Sequence, residues 1–136
     1  GYSVVNGATT IWERWDSYTK EGGIKQGMNS FNHYSFGSCT EWMYSYCLGI
    51  RPSVEKAGCK KVDFKPYFDT TGKITWAKGY YDTDYGRISA EWKKNDNIFI
   101  YNVSVPLEIE CEFEFDRMQV LEKTYNEGMY CFHLSE

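Results

Sequence analysis

The sequence predicts an α+β chain in which a short helical hairpin precedes an antiparallel β-sandwich. Three observations carry that expectation. Between Ser38 and Ile50 apolar residues recur at Cys39, Trp42, Met43, Tyr46, Cys47 and Ile50, the i, i+3, i+4, i+7 spacing of one helix face. After Arg51-Pro52 the period switches to two, as in Val62 and Phe64 or Ile98 and Ile100. Turn-forming clusters then recur at short intervals, the pattern of several short antiparallel strands. With 136 residues the chain has room for one domain, or for a small domain and a piece of another.

The first expected element is a short helix over residues 10–19. Thr10-Ile11-Trp12-Glu13 fits a capping box, in which the Thr10 hydroxyl accepts from the Glu13 amide and the Glu13 carboxylate accepts from the Thr10 amide. Trp12 and Trp15, three apart, share a side of that helix. Gly22-Gly23 and Gly27 make a flexible connection. Asn29 or Ser30 is the expected cap of the second helix, and Gly49 falls where it should end.

Strands are expected around Val62-Phe64, over 74–81 and 87–94, and around Ile98 to Val105, with Asp82-Thr83-Asp84-Tyr85-Gly86 and Asn95-Asp96-Asn97 as turns. From Leu107 to Phe115 apolar residues alternate with Glu108, Glu110, Glu112 and Glu114, a solvated strand face that also discourages edge pairing. Met129 to Leu134 closes the series. Trp76, Tyr80, Tyr81, Tyr85 and Trp92 are expected to fill the core between two sheets; the competing reading makes them a carbohydrate platform, and the sandwich a binding or structural module.

A net charge of −4 with mixed signs argues against a nucleic-acid partner, since Lys60-Lys61 and Lys93-Lys94 are the only basic clusters. No apolar run is long enough to cross a membrane. The five cysteines lack the spacing of a zinc or redox motif, so no metal or cofactor is expected, and they read as buried thiols in a reducing, cytoplasmic setting. Gly1-Tyr2 reads as the interior of a longer protein.

The run Gly7-Ala8-Thr9-Thr10-Ile11-Trp12-Glu13-Arg14-Trp15-Asp16 sets a carboxylate between two indoles, a way to build a sugar pocket. A second polar cluster in aromatic surroundings, Ser30-Phe31-Asn32-His33-Tyr34, follows. Taken alone, the first run fits a capped helix start more readily than a catalytic carboxylate, and a lone His33 fits a structural role.

These two blocks, with Glu41-Trp42, Gly49-Ile50 and Thr75-Trp76-Ala77-Lys78-Gly79, resemble the C-terminal end of bacterial α-L-rhamnosidases of glycoside hydrolase family 78. The resemblance covers roughly residues 1 to 106 and is looser beyond. It implies that residues 1–50 are the last helices of a barrel of six helical hairpins, the catalytic α/α barrel, and that residues 51–136 are its C-terminal β-sandwich. It further implies hydrolysis of terminal α-L-rhamnosides with inversion, using a general acid and a general base. Glu13 matches the family's base and His33 a residue contacting rhamnose hydroxyls, with Trp12 beside them in the substrate pocket. The family's acidic motif has no match here, so Asp16 and Glu41 are candidates for the acid only by default. The expected partners are rhamnose-containing glycosides and the remainder of the barrel. Helix faces bearing Trp12, Trp15 and Trp42 would then be exposed, with self-association or a rearranged N-terminal segment as the expected result.

Overall fold

A run of β-branched residues, Thr9-Thr10-Ile11, stands where the first helix was expected, and such side chains lose rotamer freedom against a helical turn. In the computed structural model, which describes all 136 residues, no helix forms over 10–19. The backbone there bonds across the chain instead. The Glu13 amide donates to the Ser30 carbonyl at 2.8 Å and the His33 amide to the Ile11 carbonyl at 2.8 Å. The Thr10 hydroxyl donates to the Phe31 carbonyl, so the capping box is not made. A helical turn α1 (Tyr2–Val5) and a two-residue ribbon, β1 (Tyr18–Thr19) with β2 (Gly23–Ile24), complete the first compact unit, residues 1–41.

The second helical segment forms but starts a few residues after the expected caps and winds unevenly. It is a 3-10 helix over Tyr34–Ser38, an α-helix α2 over Cys39–Trp42 and a π-helix over Met43–Leu48. His33 occupies its N-cap position. Asn29 and Ser30 do not cap it, because the helix begins only at Tyr34; Asn29 Nδ2 donates to the carbonyls of Ser17 (3.0 Å) and Lys25 (3.2 Å), and the Ser30 hydroxyl accepts from the Asn32 amide (3.1 Å). Gly49 ends it in the left-handed region, φ 77°, as expected. The stripe Cys39, Trp42, Met43 and Tyr46 is exposed, and only Leu48 is fully buried.

The second compact unit, residues 42–136, is the sandwich. One layer is an antiparallel sheet of five strands in the order β5 (Trp76–Thr83), β6 (Gly86–Asn95), β7 (Ile98–Ser104), β10 (Met129–Ser135), β9 (Gln119–Asn126). The other has three, β3 (Ile50–Pro52), β4 (Lys61–Phe64) and β8 (Glu110–Phe113). Both expected hairpin turns are present, at 84–85 and 96–97, whereas β9 carried no clear sequence signal because all eight of its residues are exposed. The smaller sheet departs from a purely antiparallel layer, since β4 and β8 run parallel.

Inward residues alternate along the strands as their period requires, and Ile88, Ala90, Trp92, Phe99, Tyr101 and Val103 join Val62 and Phe64 in one core. Phe68 sits in its middle, with its ring centroid 5.0 Å from Phe99, 5.6 Å from Trp92 and 5.8 Å from Tyr101. The glutamates of the alternating run face outward and form an ion-pair ladder: Glu110 with Lys56, Glu112 with Lys61, and Glu114 with Lys65. Leu107, expected to point inward, is exposed because its strand starts only at Glu110. All five cysteines are free thiols; Cys39 is exposed and the others half-buried, so none is the fully buried hydrophobe expected. No helix is long and apolar enough to cross a membrane.

The end of the π-helix is locked into this core. A helix leaves its last four carbonyls without intrahelical donors. Here the carbonyls of Ser45, Tyr46, Cys47 and Leu48 accept, each at 2.7 Å, from Arg51 Nε, the Tyr67 amide, Trp92 Nε1 and the Tyr101 hydroxyl. Burial raises the Tyr101 pKa well above its ordinary value, which keeps the phenol a donor. We predict that Tyr101→Phe lowers unfolding stability by about 1–3 kcal/mol, the cost of a buried acceptor left unpaired. A urea denaturation midpoint unchanged from the parent chain would refute this.

Between β4 and β5, Asp69 organises the loop, accepting from the Thr71 amide (2.8 Å), the Thr71 hydroxyl (2.6 Å) and the Ile74 amide (2.7 Å). The Thr71 hydroxyl first, and then the backbone amides, lower its pKa from 3.8 to about 2. A carboxylate with a depressed folded pKa stabilises above its unfolded value and loses that contribution as pH falls through the folded one. The stability difference between the parent chain and Asp69→Asn is therefore expected to shrink between about pH 4 and pH 2. A difference constant over that interval, measured by urea denaturation, would remove Asp69 from this role.

Candidate active site

The cross-chain bonds that replace the first helix also build the site. With residues 10–13 paired to 30–33, the Glu13 side chain turns back on its partner segment. The Ser30 amide donates to Glu13 Oε2 at 2.8 Å, in addition to the backbone bond between the same two residues. His33 Nδ1 lies 3.9 Å from the same carboxylate oxygen. Two of the residues singled out from sequence, twenty positions apart, thus converge on one carboxylate. The third, Trp12, is half-buried and meets Phe31 edge-to-face, ring centroids 5.4 Å apart.

A cavity of about 760 Å³ opens beside them, within the first unit. Its size falls within that of small-molecule sites. Ile11, Trp12, Trp15 and Phe36 supply an apolar wall, and Thr10, Glu13 and Arg14 supply polar groups. His33 is not on that wall; it reaches the cavity through Glu13 and through Phe36, against which its ring packs at 4.9 Å. A carboxylate gripped at one oxygen by an amide is fixed in orientation and keeps its other oxygen as an acceptor.

The turn after Glu13 is held as firmly. The Ser17 hydroxyl accepts from the Arg14 amide at 3.1 Å, and the fully buried Ser17 carries its carbonyl to Lys25 and Asn29. Sequence reasoning missed this role of Ser17 and that of the Ser30 amide. The only signal was the density of small polar residues in Gly27-Met28-Asn29-Ser30. Asp16 pairs with Lys25 Nζ at 2.6 Å, and that hydrogen bond holds its carboxyl below the usual range. Such a group is ionised near neutrality and a poor proton donor. Glu41 lies exposed on α2.

Comparison with known proteins places two family matches along the chain. Residues 1–47 match the model of the bacterial α-L-rhamnosidase six-hairpin glycosidase domain, and residues 49–124 match that of the bacterial α-L-rhamnosidase C-terminal domain. An α-L-rhamnosidase of Alteromonas sp. (strain LOR) is 42% identical over 113 residues, covering 82% of this chain and 12% of that protein. One of Formosa agariphila is 42% identical over 115 residues, covering 83% and 12%. Among solved structures, the α-L-rhamnosidase of Streptomyces avermitilis complexed with L-rhamnose superposes with a TM-score of 0.72 at 34% identity, covering all of this chain and 14% of that one. The α-L-rhamnosidase of Dictyoglumus thermophilum superposes with a TM-score of 0.74 at 31% identity, covering all of this chain and 17% of that one. The chain therefore spans about one eighth of the length of the curated relatives it matches. With residues 49–124, more than half its length, matched to the C-terminal domain and residues 1–47 to the hairpin domain, the chain belongs to the bacterial α-L-rhamnosidase family.

Proposed function

We propose that this chain is the C-terminal part of an inverting α-L-rhamnosidase, that it contributes the general base Glu13, and that it is inactive alone. In this reading residues 1–50, helical only over 2–5 and 34–48, are the end of the α/α-barrel catalytic domain and residues 51–136 its C-terminal β-sandwich. The observation that carries it is the convergence of Glu13 and His33, with Nδ1 and Oε2 3.9 Å apart beside an aromatic-walled cavity. Ser30 holds Oε2, so Oε1 is the oxygen that takes a proton from the attacking water. His33 is assigned to the rhamnose hydroxyls and Trp12 to the apolar side of the sugar.

Inversion requires a second carboxyl roughly 6.5–9.5 Å from the first, across the sugar. Asp16 is held ionised by Lys25, and Glu41 lies exposed on α2, so neither is assigned that part. The acid is assigned to the remainder of the barrel, outside this chain. Rhamnose-containing glycosides are the substrates in this reading, and the five cysteines support a reducing, cytoplasmic setting.

In the longer enzyme that contains this chain, Glu13→Gln is expected to lower kcat for an aryl α-L-rhamnoside by about 10²–10⁴-fold, with KM changed little. The isolated chain is expected to show no turnover. A near-normal kcat in the variant would return Glu13 to a structural role. Trp15, Ile24, Met28, Tyr34 and Phe36 are exposed, and the isolated chain is accordingly expected to self-associate through this segment. Sedimentation velocity showing a monomer at every concentration would count against that contact.

A further inference from the structure

The outer face of the five-stranded sheet carries a feature that rhamnoside cleavage at Glu13 does not use. Register places Lys78, Glu91, Asn102, Cys131 and Thr124 in one row across all five strands, and Tyr80, Ser89, Ser104, Met129 and Asn126 in the row beside it. The solvent face of a sheet ordinarily carries long charged side chains and is full. Here short hydroxyl, amide and thiol side chains floor the middle strands, and they leave a trough of about 380 Å³. A second depression of about 350 Å³, walled by Trp76, adjoins it, and Lys78 and Glu91 line both.

The chemistry of the floor selects the occupant. Lys78 and Glu91 pair at 2.9 Å and cancel, and Ser89, Asn102, Ser104, Thr124 and Asn126 supply uncharged donors and acceptors around the apolar Met129. The trough holds no basic side chain besides the paired Lys78, Lys93 stands beside Trp76 in the adjoining depression, and the floor mixes polar groups with apolar surface from Met129, as the two sides of a sugar require. Trp76, 62% exposed, and Tyr80, 51% exposed, stand outward on the rim strand β5, although the alternation of the strand had suggested core positions for both. Of that aromatic group Trp92 is core and Tyr85 packs half-buried against the core. Arg87 stacks over the Tyr80 ring, its Cζ 3.8 Å from the centroid, which fixes the ring as a platform. Flat aromatic rings beside a row of neutral hydroxyl and amide groups match the two sides of a sugar.

We propose that this outer face is a second saccharide-binding site, independent of Glu13, which takes a neutral oligosaccharide laid across the strands with one ring on Trp76 and hydroxyls on Glu91, Asn102, Ser89 and Thr124. Its role is to hold a glycan without cleaving it.

The test is a ¹H–¹⁵N NMR titration of the full 136-residue chain with L-rhamnose, with a neutral rhamnose-terminated oligosaccharide, and with an anionic oligogalacturonide. Shifts at the Trp76 indole and at the amides of Lys78, Ser89, Asn102 and Thr124 are expected with the neutral oligosaccharide. Trp76→Ala and Asn102→Ala should each weaken that binding by about fivefold or more. Ser89→Ala provides a further exposed position should either variant fail to fold. Glu13→Gln should leave the binding unchanged, which separates this site from the catalytic reading. Silence of the trough with both neutral probes, shifts confined to residues 10–33, or tighter binding of the anionic probe would each overturn the proposal.

Discussion

The structure depends most on how one helix end is closed. Four consecutive carbonyls, Ser45 to Leu48, leave the π-helix pointing into the sandwich, and four donors from separate places meet them: Arg51 on β3, Tyr67 in the loop after β4, Trp92 on β6 and Tyr101 on β7. An unpaired buried carbonyl costs about 1–3 kcal/mol, so closing all four fixes the helix to both sheets. The following residue, Gly49, can accept no side chain there, because a Cβ would lie 2.2 Å from the Pro66 nitrogen. By sequence match residues 42–47 end the hairpin domain, yet by packing they belong to the sandwich unit. The sandwich is thus the terminus-binding partner of the last helical turn.

The same economy of long-range partners governs the first forty-one residues. Almost nothing there is buried, Ser17 being the exception, and regular structure is confined to α1, a two-residue ribbon and the start of the second helical segment. Hydrogen bonds across 17 to 22 positions do the work instead, joining Thr10 to Phe31, Ile11 to His33 and Glu13 to Ser30. The carboxylate that a capping box would have turned onto its own backbone is turned onto another segment. That carboxylate is held by the Ser30 amide, with the His33 ring 3.9 Å from the same oxygen.

In the sandwich, the period-two pattern has different outcomes on its two surfaces. Inside, aromatic rings pack around Phe68; outside, the small sheet is covered by a Lys–Glu ladder and the large sheet is left with short polar side chains. Lys61 illustrates the ladder's strength: hydrogen bonds from its ammonium to Glu55 and Glu112 raise its pKa above the ordinary lysine value. The two outer faces thus differ in kind, one closed by paired charges and one open as a trough.

Local patterns in the sequence were enough for the second helix and its Gly49 stop, for the two tight hairpins, and for the alternation at Ile109, Cys111, Phe113 and Phe115, because each depends on residues a few positions apart. Spacing alone left Glu13 as a helix cap and His33 as a structural residue; the family resemblance is what singled them out, with Trp12, as site residues. Tertiary structure alone decided that residues 10–13 pair with 30–33 rather than coil, that β8 runs parallel to β4, that β9 exists with no buried residue, and that Trp76 and Tyr80 face outward. Each of these depends on partners far apart in sequence, and a local pattern carries no signal for which distant backbone groups pair or which face of a strand the core covers.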